Sequence, residues 1–427
     1  MSSESLNTLR DHARSIFEAA LNAVDARAVT RQIINRDGHS IRLVDHTITD
    51  AKPIYVVAIG KAALGMAHAL DDMLGDRLTG GICICPYQET LQLPDVYQVF
   101  HGGHPLPNEE SLKAATATFR LLDRANNEQA TAIFAVSGGG SAMIEMPIAA
   151  DISLKDLQST NQLLVSCGAK ISEINVIRRA ISAVKGGKLL SRVPDVQAVT
   201  LIISDTNEGD EASVASGPTL APPGDQINAR DLVQTYRLAG ELPHSVMRVI
   251  EQPPVRKTTR SHPHYVIASN STALEGAKSK AVSLGYESSI DRTVSEQPIA
   301  EGCELLLARA TANACAISGG EFSCPVRGDG RGGRNSETAL RCAVSLDSMK
   351  EMVVLSAGTD GVDGNSPAAG AIADNTTLAR AHSLGLNEQL FLDRSDSHSF
   401  FQQLNDTIDT GPTGTNVRDI RIVLTPH

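Results

Sequence analysis

Short apolar runs alternate with longer stretches of helical spacing along most of this chain. Leu9, Ala13, Ile16, Phe17, Ala20 and Leu21 recur at helical intervals and predict an amphipathic helix near the start. "PIYVVAIG" (53–60) then reads as a buried strand running into the helical "KAALGMAHALDDML". The strand signal returns in "TAIFAVSGGGSAM" (131–143), "AVTLIISD" (198–205), "HYVIASN" (264–270), "ACAISGG" (314–320) and "MVVLSAGTDG" (352–361). Each of these closes on Gly, Ser, Asp or Asn. Helical patterns at 154–166, 173–191, 272–284 and 336–346 lie between several of them. Such alternation predicts an α/β fold with mostly parallel sheets, Rossmann-like or mixed, flanked by helices, with ligands at the carboxyl ends of the strands.

A chain of 427 residues calls for more than one core. The Pro-containing polar stretches "TLAPPGD" (219–225) and "EQPPVRKTTRSHPH" (251–264) read as connectors, and the second divides the chain into domains 1–250 and 251–427. "AVSGGG" (135–140) and "AISGGE" (316–321) echo one another across that boundary, a pattern that chance recurrence explains more simply than duplication.

Composition narrows the classes of function. A net charge of −11 opposes long-range attraction to nucleic acid or an anionic membrane. No apolar stretch approaches the ~20 residues needed to span a bilayer. The first residues carry acidic side chains and no apolar core of a signal peptide, so a reducing cytoplasm is the expected setting. The seven cysteines form no CxxC pair or His–Cys cluster; Cys83 and Cys85 share one face of a strand and read as small buried hydrophobes.

The unusual residues gather where the apolar runs end. Lys61 follows the first strand, at the start of a helix. There a cation is disfavoured by the helix dipole unless it serves a ligand; the alternative is a solvent-facing first-turn residue. The P-loop pattern is absent, since Tyr55 and Ala62 stand where it needs Gly and Ser or Thr. Ser137, Gly138, Gly139, Gly140 and Ser141 form a glycine turn suited to cradling phosphate, but Met143 occupies the third glycine position of a dinucleotide fingerprint. Arg178, Arg179, Lys185 and Lys188 put four cations on one stretch; most belong to a solvated face, and one is available for a substrate's acid group.

Asp205, with Glu208, Asp210 and Glu211 behind it, and Asp360 with Asp363 are oxygen donors of the kind Mg²⁺ takes alongside phosphates. N-caps and Asx-turns are the competing explanation for each aspartate. "GDGRGGRNSE" (328–337) sets Arg327, Arg331 and Arg334 among Gly328, Gly330, Gly332 and Gly333, with Asn335 capping the next helix. Glycine there frees backbone N–H groups to converge on an anion, and arginine offers a fork of donors. The histidines of "HGGHP" (101–105) read as structural.

In order along the chain, "AIGKAA", "HPLPNEES", "SGGGSA", "CGAKISEINVIRRAISAVKGGKL", "SGPT", "GRGGRNSE", "AGTDGVDG" and "GPTGTNVRDI" resemble the type II glycerate kinases, whose C-terminal half is the MOFRL domain. The resemblance covers about residues 54–424. It implies ATP-dependent phosphorylation of D-glycerate, usually on the 2-hydroxyl, giving 2-phosphoglycerate, in a cleft between two α/β domains. Lys61 and Arg334 match the main catalytic cations. Ser137, Gly138, Gly139, Gly140, Ser141, Lys185, Gly332, Gly333 and Asn335 are then expected around ATP, and Asp205, Asp210 and Asp360 at Mg²⁺ or the hydroxyl proton. Expected partners are ATP and glycerate, without nucleic acid or membrane; a homodimer is compatible with this reading. Two departures stand out: "SDTNEGDE" replaces the usual SDVxGDD, moving its glycine to Gly209, and "DSH" (396–398) replaces a frequent DSY. An NAD(P)H-dependent hydroxypyruvate reductase, a label this family has sometimes carried, and a non-enzymatic anion-binding module are the rival readings.

Overall fold

Leu9, Ala13, Ile16, Phe17 and Ala20 are buried along one side of helix α1 (Leu6–Ala23), as their spacing predicts. In the computed structural model, which describes residues 6–48, 52–86, 92–221, 228–252, 262–346 and 351–426, this helix packs on the C-terminal part of the chain. A Cβ on Gly276 would lie 2.5 Å from that of Ala23, so two helix backbones meet closely there. His12 Nδ1 and Tyr286 Oη are 2.8 Å apart beside this contact. The chain therefore forms a central unit, Ala26–Ile267, and a split unit made of the residues up to Asp25 and those from Ala268 onward. The expected division at 250/251 differs from this in placing α1 with the first domain. Most of the connector expected there, 253–261, lies outside the described residues, as do 222–227 of the other connector.

Arg10 of α1 pairs with Asp374 and Asp406, which are almost fully buried; Arg380 also reaches Asp406 at 2.6 Å. Burial pushes the Asp374 carboxyl up, but hydrogen bonds from Thr376 and the Arg10 charge outweigh it and hold it below the ordinary range. A carboxyl depressed in this way stabilises the fold above its unfolded pKa of about 4, and the contribution is lost as pH falls through the folded value. Arg10→Ala is expected to cost about 3 kcal/mol at neutral pH, the low end for a broken buried pair because Arg380 remains. Urea unfolding should show the gap between parent and variant closing as the buffer is taken from neutral pH to below pH 4.

In the central unit, β1 (Ile54–Ile59) runs into α2 (Ala63–Leu74), followed by β2 (Leu78–Ile84) and β3 (Tyr97–Phe100). Helix α3 (Glu109–Asn127) opens on a reciprocal cap between Asn108 and Ser111 and leads to β4 (Thr131–Ser137). After α4 (Leu154–Ser166) and α5 (Ile171–Ile181) come β5 (Gln197–Ile203) and β6 (His264–Ala268). The sheet order is β3-β2-β1-β4-β5-β6, with β1 parallel to β2 and β4, and the pairs β2–β3 and β4–β5 also parallel. All residues of β1 and β4 are buried, as strands covered on both faces require. Tyr55, Val57, Phe134 and Val136 lie in one core with residues of α3. The strand order reverses between β1 and β4, and in such sheets that reversal opens a crevice at the carboxyl ends. Helical spacing over 173–191 overran the helix: α5 stops at Ile181, Ser182 is extended, and Gly186 and Gly187 take φ of +67° and +79°.

In the split unit, α6 (Asn270–Ser283) precedes β7 (Glu287–Ile290) and β8 (Ala314–Gly320). Helix α7 (Arg334–Leu346) then leads to β9 (Val353–Gly358), β10 (Gly370–Asp374), β11 (Thr407–Ile408) and β12 (Asp419–Leu424). This sheet is the mixed kind, ordered β7-β8-β12-β9-β10-β11, with β7 and β8 parallel and β12 antiparallel to both β8 and β9. Inserting β12 places Asp419 opposite Gly320 and Gly358, the last residues of β8 and β9. A carboxylate from the beginning of one strand thus reaches the carboxyl ends of two others.

Candidate active-site residues

In the central unit the loops leaving β1 and β4 are built into one another. Lys61 N–H donates to Gly138 O at 2.9 Å, and Ala62 N–H to Ser137 Oγ at 3.0 Å, whose own hydroxyl donates to Ile59 O at 3.1 Å. Gly60, at φ +113°, is required: a Cβ would stand 2.4 Å from Ser137 O. Gly139, at φ +80°, is flanked by the Lys61 stem and the His104 ring, with Lys61 Cγ 3.1 Å and His104 Cδ2 3.2 Å from where its Cβ would be. A Cβ on Gly138 would lie 2.0 Å from Asp205 Oδ2. An ammonium-bearing chain and a carboxylate therefore rest on two consecutive glycines at the sheet's switch point. Their chemistry is complementary: the ammonium neutralises an oxyanion, and the carboxylate holds a hard cation or accepts a hydroxyl proton. Gly138→Ala should displace Asp205 and lower turnover about tenfold or more, with steady-state rates and a melting curve as the check.

Other expected residues make side-chain contacts within the protein. Ser137 is buried and its hydroxyl ties the two loops together. Ser141 Oγ meets Ser216 Oγ at 2.8 Å, and Ser216 donates to Asn175 Oδ1 at 3.0 Å. Lys185, expected beside the nucleotide, is instead buried and paired with Glu145, which also accepts from Ser182 Oγ at 2.5 Å. Desolvation pulls the Lys185 ammonium below its ordinary range against the attraction of Glu145. The exposed Asp210 closes its own turn, accepting from Ser213 Oγ at 2.7 Å. That contact fits the Asx reading of this aspartate. Asp205 is half-buried against a glycine that leaves it room. Among the described residues no three His, Cys, Asp or Glu side chains gather as a metal cage.

In the split unit the arginine–glycine loop turns its donors inward. Gly330 N–H donates to Arg394 O, Arg331 N–H to Asp396 Oδ1 and Gly332 N–H to Asn365 Oδ1, all within 3.0 Å. Gly333 N–H reaches Ser336 Oγ at 3.3 Å. The N-terminus of α7 is already filled by an anion of the chain: Asp363 accepts from Asn335 N at 2.9 Å, Ser336 N at 2.8 Å and Ser336 Oγ at 2.6 Å. The N–H groups of Gly332, Gly333 and Asn335, expected around the nucleotide, thus have partners within the chain. Glycine is needed because Cβ atoms on Gly333 and Gly330 would stand 2.3 Å from Asp363 Oδ1 and 2.5 Å from Asp396 Cβ. Beneath the loop, His398 is buried, its ring nitrogens without a hydrogen-bond partner among the described residues. Desolvation, then the Arg331 charge, favour its neutral form.

Arg334 leaves this loop toward the strand ends. Its Nε donates to Asp419 Oδ2 at 2.5 Å, its Nη2 to Asp419 Oδ1 at 3.2 Å, and Glu321 Oε1 lies 2.7 Å from Nη2. Desolvation works against its charge, but Asp419 and then Glu321 and Asp363 outweigh it, so the guanidinium is held above its ordinary range. Asn335 Nδ2 donates to Asp419 at 3.0 Å and its Oδ1 accepts from Ser356 at 2.7 Å. Asp360 is half-buried and accepts from Val362 N–H at 3.1 Å; a Cβ on Gly358 would lie 3.2 Å from its Oδ1 and 3.5 Å from that of Asp419. Arg327 turns away to Glu337 at 3.2 Å. Sequence reasoning passed over Asp419, Glu321 and Arg421. The last is fully buried, binds the carbonyls of Gly319 and Gly320, and stacks 3.8 Å from the Phe322 ring centroid. A charged pair heading the apolar run "RDIRIVL" was the available signal.

The chain is thus an α/β protein with a lysine and an aspartate at the switch point of one sheet and an arginine oriented by carboxylates at the strand ends of the other. The chain belongs to the glycerate kinase family with DUF4147 and MOFRL domains: residues 12–251 match the domain of unknown function DUF4147, and residues 314–419 match the MOFRL family. It is 33% identical to the D-glycerate 2-kinase of Thermotoga maritima over 87% of this chain and 90% of that one. A protein of Agrobacterium vitis whose name proposes a hydroxypyruvate reductase is 35% identical, over 86% of this chain and 98% of its own. The crystal structure of a glycerate kinase from Thermotoga maritima superposes with a TM-score of 0.83 at 29% identity, covering 98% of this chain and 100% of that one.

Proposed function

We propose that this chain is an ATP-dependent kinase that phosphorylates D-glycerate on its 2-hydroxyl, yielding 2-phosphoglycerate and ADP. The observation that carries the proposal is the placement of Lys61 and Asp205 against Gly139 and Gly138 at the switch point, in a member of the glycerate kinase family. In the reaction, the glycerate oxygen forms a bond to the γ-phosphorus while the bond to the ADP oxygen breaks. Such transfer depends on positioning and charge neutralisation more than on a protein nucleophile. We assign Lys61 to the oxygens of the transferred group. Arg334 Nη1, the one nitrogen of this side chain with no acceptor among the described residues, is assigned to the same chemistry. Asp205 would hold Mg²⁺, which when bound neutralises phosphate oxygens, and Asp360 is assigned to the hydroxyl proton.

These two roles separate under titration. Asp205→Asn should raise the Mg²⁺ concentration needed for half-maximal rate by about tenfold or more, whereas Asp360→Asn should lower kcat at saturating Mg²⁺. We set the reaction in the reducing cytoplasm, a reading supported by seven free cysteine thiols. The test is an ADP-release assay with ATP and Mg²⁺ across glycerate, hydroxypyruvate and tartronate, with phosphorus NMR to identify the phosphorylated carbon. Glycerate-dependent ADP release and a 2-phosphoglycerate signal are expected. The reductase reading draws on the Agrobacterium relative's name, but Met143 is buried under the glycine turn where a dinucleotide loop needs glycine. No oxidation of NADH or NADPH by hydroxypyruvate is expected.

A further inference from the structure

Four cations lie on the stretch that begins at α5, and the structure gives them different surroundings. Lys185 is buried on Glu145. Lys188 donates to the carbonyls of Arg179 and Ser182, closing the helix end. The Arg179 stem packs 3.1 Å from where a Cβ on Gly186 would be. Arg178 differs from these. Its Nε donates to Asn161 Oδ1 at 2.8 Å, and neither terminal nitrogen has a hydrogen bond or ion-pair partner among the described residues.

Glu145 carries one negative charge and Lys185 already neutralises it. Arg178 lies within electrostatic reach of both, so these three groups together carry one net positive charge. Desolvation lowers the Arg178 pKa against the opposing pull of Glu145, and the side chain is half-buried. A partly buried charge is favoured when an anion joins it.

The surroundings also connect Arg178 to the glycine turn. Asn175, one helical turn earlier on the same face, accepts from Ser216, which meets Ser141 at the start of the short helix Gly140–Met143. Asn161 holds the Nε side of the guanidinium through a side chain itself fixed to Leu157 O at 2.9 Å. The fork is thus held in place with both ends open.

We propose that Arg178 is the residue that receives the carboxylate of the substrate, its two terminal N–H groups pairing with the two carboxylate oxygens. A planar guanidinium matches a carboxylate in this bidentate way, and Lys61 is left for the phosphoryl oxygens. The proposal rests on the glycerate kinase reading, and the two fail separately.

The test is a steady-state comparison of the full-length protein with Arg178→Gln and Arg178→Lys, using D-glycerate and its uncharged amide as acceptors. Arg178→Gln should raise the glycerate KM about 100-fold with a smaller change in kcat, leave the ATP KM within about twofold, and abolish the preference for glycerate over the amide. Arg178→Lys, which keeps the charge and loses the fork, should raise the glycerate KM about tenfold and carries the test if the glutamine variant melts early. Calorimetric titration with glycerate in the absence of ATP should show the same loss of affinity. An unchanged glycerate KM in a variant that melts like the parent overturns the proposal. So does a raised ATP KM alone, which would make the bound anion a nucleotide phosphate. A parent that fails to phosphorylate glycerate sinks the underlying kinase reading, while glycerate binding that still weakens in the variants keeps the carboxylate assignment.

Discussion

Replacing Lys61 with alanine is expected to lower kcat by about 10²–10³-fold while leaving the melting temperature nearly unchanged. The magnitude is that of removing one preorganised donor from a site where negative charge develops. The structure separates the two roles of this position. Local architecture depends on the Lys61 backbone, whose N–H donates to Gly138 O at 2.9 Å, and alanine keeps that bond. The side chain is only half-buried, so its removal takes charge away without opening the core. Loss of kcat without a matching rise in KM for either substrate would place the interaction in the transition state. Turnover within a few-fold of the parent would remove Lys61 from the chemistry.

Arg334→Ala should produce the other large effect, with a cost in stability as well as activity. Asp419 is 1% exposed and its carboxylate receives two donors from Arg334, leaving it Asn335 as side-chain donor among the described residues when the guanidinium is gone. Stranding a buried carboxylate in this way typically costs about 3–5 kcal/mol. Urea unfolding of Arg334→Ala is expected to show a loss of that size, so its inactivity alone would not identify a catalytic cation. Arg334→Lys and the double variant Arg334→Met/Asp419→Leu separate the effects. The double variant should recover much of the stability, because both charges leave together, yet remain inactive. Recovery of stability together with full turnover would assign Arg334 to structure alone.

The two cations show what reading the chain could and could not reach. The place of Lys61 in the fold was legible because it follows an unbroken apolar strand, and parallel order puts strand ends at a crevice. The arginine–glycine loop was legible as unusual, but its glycines were read through one of their two uses. Permissive φ suggested N–H groups opened to a ligand; close approach is the use found here, with Gly330 and Gly333 packed against Asp396 and Asp363. No local pattern distinguishes these uses, because the atoms that crowd the glycines come from about 30 to 65 positions further along. Lys185 shows the same limit. Its charge suggested a ligand, whereas its counterion, Glu145, stands 40 residues earlier.

Periodicity by itself determined the α/β class, the helix α1 and its buried face, and the strands that end in the glycine turns, since burial on one or both faces writes directly into residue spacing. Tertiary structure alone decided that α1 belongs with the C-terminal unit and that β12 enters its sheet antiparallel to bring Asp419 to Arg334. It also decided which cations are already neutralised and which, like Arg178, keep an open fork. Hydrophobic spacing records which side of an element faces inward, but a charge acquires its meaning from the partner that meets it, and those partners are joined only when distant segments fold together.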